Sequence, residues 1–220
     1  MQDMAPRRRR WTVIVLAVVM AGAISMWMPA VRLPVLRAAG RALVIASAPA
    51  APADVIVVAV DADGAGVLEA ADLVHERVAT RVAVFADHAD PVDREFIRRG
   101  VHHETRAARS IRQLHALGVE VTEQIPRAVG GTEDEGRVLP DWCEERGFRS
   151  VVVVSLSDHS RRLRRVLDRS MRGRPTKVTV RPARYSTFNA DHWWATRDGI
   201  RSGIVELEKL LLDLVRHPLS

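Results

Sequence analysis

Three short stretches gather the residue types that do chemistry. In "SVVVVSLSDHSRRLRRVLDRS", Ser155, Ser157, His159 and Arg162 stand where an apolar run turns into a helical one. Hydroxyls, an imidazole and a guanidinium beside the free N–H groups of a helix start make an anion cradle, and a histidine titrating near neutrality also serves as a general acid or base. In "GGTEDEGRVL", Gly130 and Gly131 precede Thr132, Asp134 and Glu135. Thr132 with Glu135 three residues on is a capping box, and Glu133 and Asp134 suit the positive end of a helix dipole. A glycine pair feeding a helix at a sheet edge is also how a ligand site is built, and both readings stand. In "VDADGAGVLEAADLV", Gly64 and Gly66 let backbone N–H groups approach an anion, although the six-residue dinucleotide fingerprint is absent. Asp61 and Asp63 there either shape the turn or ligate a divalent cation.

The helical face sorts the charges around His159. With Ser157 as cap, Leu163, Val166, Leu167, Ser170 and Met171 form the buried stripe, while Arg161, Arg164, Arg165, Asp168 and Arg172 point to water. His159 and Arg162 lie four residues before Leu163 and Val166, so these two border the stripe and reach the sheet edge.

Such residues need elements that bring them to one edge. "DVIVVAV" (54–60), "RVAVFA" (81–86), "VEVTEQI" (119–125), "SVVVVS" (150–155) and "KVTVRP" (177–182) read as strands, most of them apolar on both faces. Helical spacing fills 65–77, 104–117, 132–146 and 158–171. The alternation predicts an α/β domain with a doubly wound, Rossmann-like, mostly parallel sheet, in which ligands bind beyond the carboxyl ends of the strands. At the end of the chain Ile200, Ile204, Leu207, Leu211 and Leu214 recur at helical spacing and are expected to pack on the sheet, with Trp193 and Trp194 plugging its end. His88, His102 and His103 lack zinc spacing, and no nucleophile-elbow, Walker or HExxH motif occurs.

The chain holds 33 Lys+Arg against 27 Asp+Glu, a net charge of +6. Arg7, Arg8, Arg9, Arg10, Arg32, Arg37 and Arg41 face Asp3 alone in residues 1–52, so the whole excess lies there and residues 53–220 balance. A neutral domain has no phosphate-backbone footprint, and nucleic acid is not an expected partner. The stretch from Trp11 to Met28 carries no charge. At helical rise it spans about 27 Å, enough to cross a bilayer, with a tryptophan near each end. Residues 11–28 are therefore expected to be a signal-anchor, residues 1–10 its basic flank, and 29–52 a surface-lying helix and linker before the 53–220 domain. A cleaved signal peptide is the alternative, disfavoured because Ala46-Ser47-Ala48 lies far downstream. The arginines before residue 11 place the N-terminus in the cytoplasm and the domain outside it. Cys143, the lone cysteine, forms no intrachain disulfide.

Residues 53–216 resemble the YdcF-like domain family, which includes the envelope proteins SanA and ElyC. The resemblance rests on "ADVIVV", "GGTEDEG", "VVVVSLSDHSRRLRRV" and "WWATRDGIRSGIVELEKLL". It implies a Rossmann-like domain tethered to a bacterial membrane and acting in envelope biogenesis. It carries interest to Thr132, Asp134, Glu135, Ser155, His159, Arg162, Trp193, Trp194, Arg197, Glu206 and Lys209. One member of the family is associated with S-adenosylmethionine, and no reaction is set for the family as a whole, so no cofactor follows. The family's glycine cluster after the first strand is here "AVDADGAGVLEAA", and its Ser-Gly-Gly second turn is "FADHADP". Two expectations result. Either the domain binds a small phosphorylated or nucleotide-like envelope metabolite, with or without transforming it, or it is a non-catalytic membrane-tethered scaffold or regulator that keeps the fold without a ligand site.

Overall fold

A computed structural model describes residues 20, 27–47 and 51–218. Five short strands form one sheet: β1 (Val55–Val58), β2 (Arg81–Asp87), β3 (Val121–Val129), β4 (Ser150–Ser155) and β5 (Lys177–Pro182). Every pairing is parallel and the order is β3-β2-β1-β4-β5. β1 is buried at all four positions and β4 at five of six, which is why their β-branched runs show no alternation. β3, at the edge, is mostly exposed or half-buried and bulges opposite Phe85/Ala86.

Parallel neighbours need crossovers, and the helices supply them. α2 (Asp63–His75) and α4 (Arg106–Ala116) pack together against β1 and β2, while α5 (Thr132–Arg146) and α6 (Ser160–Ser170) pack together against β3 and β5. α3 (Pro91–Arg98) is an additional short helix in the β2–α4 connection, started by a capping box between Asp90 and Asp93. The strand order reverses between β1 and β4, and the region beyond the carboxyl ends of both strands at such a switch point is where open α/β sheets form a ligand crevice.

Two helices sit outside the alternation. α1 (Pro29–Leu43) covers part of the stretch expected to be a surface helix and linker, and it docks against α6 and α7 (Arg197–Arg216). The single-turn helix Trp193–Ala195 is wedged between α1 and α7. Trp193 is buried there, its indole N–H donating to the Leu36 carbonyl at 2.8 Å. Gly40, Gly199 and Gly203 leave the space the indole and its backbone occupy.

α7 corrects the sequence reading. Its buried face is Gly203, Glu206, Leu210 and Asp213, whereas Ile200, Ile204, Leu211 and Leu214 are exposed. The reason is electrostatic. α6 carries Arg162, Arg165 and Arg169 along the side facing α7, and these pair with Glu206 and Asp213. Carboxylates turned to water would have left those half-buried guanidinia unpaired, which outweighs burying one aliphatic stripe.

The expected anchor lies mainly outside the described residues, which hold Met20, Trp27 and Met28 of it. Among the described residues no helix is long and apolar enough to cross a membrane.

Candidate functional site at the β1/β4 crevice

Each wall of the crevice comes from a turn singled out in the sequence. The β3–α5 turn brings Gly130, Gly131 and Thr132. Gly131 is the N-cap of α5 at φ 152°, a conformation open to glycine. Thr132 is therefore the first helical residue rather than the cap, and the expected capping box with Glu135 does not form. The turn is instead closed by Asp134, whose Oδ2 accepts the Gly130 N–H at 2.9 Å.

Freed from capping, both side chains point inward. Glu135, 1% exposed, accepts the Val60 N–H at 2.7 Å on Oε1 and tethers α5 to the end of β1. Its other oxygen, Oε2, has no hydrogen-bond partner. Burial pushes its carboxyl up to about 6, the Val60 N–H, His159 and Arg162 opposing and Asp61 adding to the rise. Thr132, 3% exposed, places Oγ1 2.8 Å from His159 Nε2.

The β4–α6 turn supplies the other side. His159 rather than Ser157 is the N-cap of α6. Ser157 Oγ faces the Ala183 carbonyl at 3.5 Å, and its N–H donates to Ser186 Oγ at 3.2 Å. Ser155, fully buried, donates to the Leu156 carbonyl at 3.2 Å. Both hydroxyls thus donate their proton to backbone carbonyls of the chain itself. His159 Nδ1 lies 3.2 Å from Glu206 Oε2 and 2.9 Å from an Arg162 terminal nitrogen. Arg162 also reaches both Glu206 oxygens, at 3.0 and 3.3 Å, and Lys209 Nζ is 2.8 Å from Oε1. Burial would raise the Glu206 carboxyl. The hydrogen bonds from His159 and Arg162 reverse that and hold it well below the carboxylate range.

Glu206, His159 and Thr132 therefore form a buried relay. A proton on Nδ1 is held by Glu206 and leaves Nε2 to accept from the threonine hydroxyl. A proton on Nε2 is donated to Thr132 and leaves Nδ1 to accept from Arg162. The imidazole can hold its proton on either side, as an acid–base group requires.

The other arginines of α6 are also partnered. Arg161, expected in water, donates to the Ala42 and Val44 carbonyls at the end of α1. Arg165, also expected in water, pairs with buried Asp213. Arg164 is exposed enough to pair with Asp168 at the surface, as expected.

Gly64 and Gly66 separate in role. Gly66 is buried and lets α2 approach Val58 and Ala62, so it serves helix–strand packing. Gly64 has open space around it and lines a hollow of about 380 Å³ with Asp63, Arg106, Arg109, Ser110 and Gln113. A separate narrow recess of about 10 Å³ shares Asp63, Arg106 and Ser110 with it and is lined by Val60, whose N–H binds Glu135. Arg106 and Arg109 make only partial contacts, 3.3 Å to Asp87 and 3.6 Å to Glu104. Sequence reasoning missed both. The signal was the i, i+3 pair in "TRAARS", capped by Thr105, which directs two guanidinia over the start of α2. A larger hollow, about 690 Å³, lies beside Glu206 and is lined by Asp158, Asp198, Ser202, Arg201 and Phe188 among others. Among the described residues, Asp158, Asp198 and Glu206 line it with Arg201 as the one cation, which suits an anion less than the arginine-lined hollow does. Among the described residues no cluster of His, Cys, Asp and Glu is arranged to hold a metal ion, and Asp63 serves the turn with φ 42°.

In comparison with known proteins, no family model, curated protein or solved structure matches the chain. Trp194 lies half-buried in the single-turn helix, and Arg197 is exposed as the first residue of α7.

Proposed function

We propose that the chain is a membrane-tethered envelope protein of the YdcF-like type whose domain binds a small phosphorylated or nucleotide-like ligand along the carboxyl edge of the sheet. The phosphate lies in the 380 Å³ hollow between Arg106, Arg109, Ser110 and the N-terminal turn of α2 at Gly64. The body of the ligand extends over the end of β1 toward Glu135 and His159. The observation that carries this reading is the pair Arg106 and Arg109 lining the hollow beside Gly64, with Val60 in the adjoining recess bonded to Glu135. Guanidinium groups and a helix start favour an anion at one end, while a buried carboxyl titrating near neutrality and a histidine relay provide proton transfer at the other. Residues 11–28 would supply the tether.

Arg162 favours a second reading. Its charge is already neutralised by Glu206, so the relay also serves as an internal clamp joining α5, α6 and α7, as a scaffold without a ligand would need. Ligand-induced stabilisation of the full chain separates the two readings. Adenosine 5′-monophosphate and inorganic phosphate should raise the unfolding temperature of the wild type and not of the Arg106→Ala/Arg109→Ala variant. A scaffold responds to neither ligand. Stabilisation by S-adenosylmethionine alone would transfer the site to a cationic nucleoside.

A further inference from the structure

The outward face of α7 carries Ile200, Ile204, Leu207, Leu211 and Leu214, separated by steps of four, three, four and three residues. This is a coiled-coil heptad, with Ile204 and Leu211 at a and Ile200, Leu207 and Leu214 at d. Four of the five are strongly exposed, Ile204 at 54% and Leu211 at 62%. The seam runs about 21 Å along a rigid helix, whose opposite face is fixed to α6 by Glu206 and Asp213.

We infer that this seam is a homodimer interface, in which α7 packs antiparallel against α7 of a second copy of the chain. The charges choose this occupant over a lipid surface. Arg201 and Glu208 follow the seam at the e positions, with exposed Val205 and Leu212 on their far side. Neither Arg201 nor Glu208 makes an ion pair among the described residues. A bilayer covering the apolar arc would have to cover both charges with it, at a cost that grows with depth. A second helix instead satisfies them. Setting Ile204 opposite Leu207 and Ile200 opposite Leu211 of the second copy brings each Arg201 within side-chain reach of the other copy's Glu208 on the e–e′ edge, twice by symmetry. Moving the centre of the pairing one heptad step toward Leu211 would set the two Glu208 carboxylates near each other. Electrostatics therefore selects the register as well as the partner. The g edge, Gly203 and Leu210, is buried in the chain's own fold, so one edge alone is left for pairing.

The test is disulfide trapping in the full chain in detergent, where native Cys143 is buried. Mild oxidation of the Ile200→Cys/Leu211→Cys variant should give a covalent dimer, because positions 200 and 211 face each other across copies and are too far apart along one helix to bond within a chain. Arg201→Glu should reduce trapping about tenfold or more, and Arg201→Glu/Glu208→Arg should restore it. No covalent dimer would overturn the inference, as would an Ile204→Cys variant that self-crosslinks fastest, which marks a parallel pair. Spin labels at 204 and 211 that are reached by oxygen but not by a water-soluble relaxant, without coupling between copies, would assign the face to lipid and overturn it as well.

Discussion

Replacing Glu206 with glutamine should be among the most destabilising single changes in the domain. The residue is 7% exposed and holds His159, Arg162 and Lys209 together. Glutamine keeps the shape but removes the charge, leaving the Arg162 guanidinium, only 12% exposed, without its counter-ion. Breaking a buried pair by removing one partner costs about 3–5 kcal/mol. For a domain of this size that lowers the unfolding temperature by about 6–20 °C. Removing Arg162 as well, as Glu206→Gln/Arg162→Met, should recover much of the loss because no charge is then stranded. The pH dependence follows from the depressed carboxyl. Glu206 is held below its ordinary value of 4.5, so its stabilisation is complete above that pH and is lost as pH falls toward the folded-state value. Urea unfolding of wild type and both variants between pH 3 and about 7 measures all of this. A Glu206→Gln midpoint shift worth less than about 1 kcal/mol, or a wild-type acid limb that the variant reproduces, would refute the reasoning.

Glu135 should behave oppositely. Its carboxyl is raised from 4.5 to about 6, so its favourable contribution is present below the lower value and lost as pH rises through the upper one, a difference of about 2 kcal/mol. Glu135→Gln, which keeps the acceptor for Val60, should flatten the wild-type stability profile across that window and leave the protein at least as stable at neutral pH, measured by urea unfolding. Gly203→Ala would drive a methyl group into the Trp193 ring and should cost about 1–3 kcal/mol, read as a lowered unfolding temperature with the relay intact.

The sheet was legible because its strands are continuous β-branched runs, and nothing but burial on both faces explains "VIVV" and "VVVV". The two turns flanking the crevice were legible for the same reason, since a strand end fixes where the following helix begins. What sequence spacing misassigned were choices between partners that lie far apart in the chain. Thr132 and Glu135 satisfy a local capping pattern, yet the fold offers Thr132 a buried imidazole and Glu135 the Val60 N–H, and these won over the cap. The aliphatic periodicity of α7 predicted its buried face, but the arginines of α6, invisible to a single-helix pattern, turned Glu206 and Asp213 inward. Arg161 likewise found the carbonyls at the end of α1. Arg106 and Arg109 went unnoticed because no glycine turn or strand-end motif marks the start of the helix that carries them.

The proposed anion site begins at Arg106 and Arg109 and ends at Glu135. Isothermal titration of adenosine 5′-monophosphate into the full-length protein, compared among wild type, Arg106→Ala/Arg109→Ala and Glu135→Gln, tests it most directly. Saturable one-to-one binding by the wild type is expected. Losing the arginines should weaken it roughly ten- to a hundredfold through lost charge-assisted hydrogen bonds, and Glu135→Gln should change the proton uptake accompanying binding, measured in buffers of different ionisation enthalpy. No binding by the wild type, or equal affinity in the arginine variant, would contradict it.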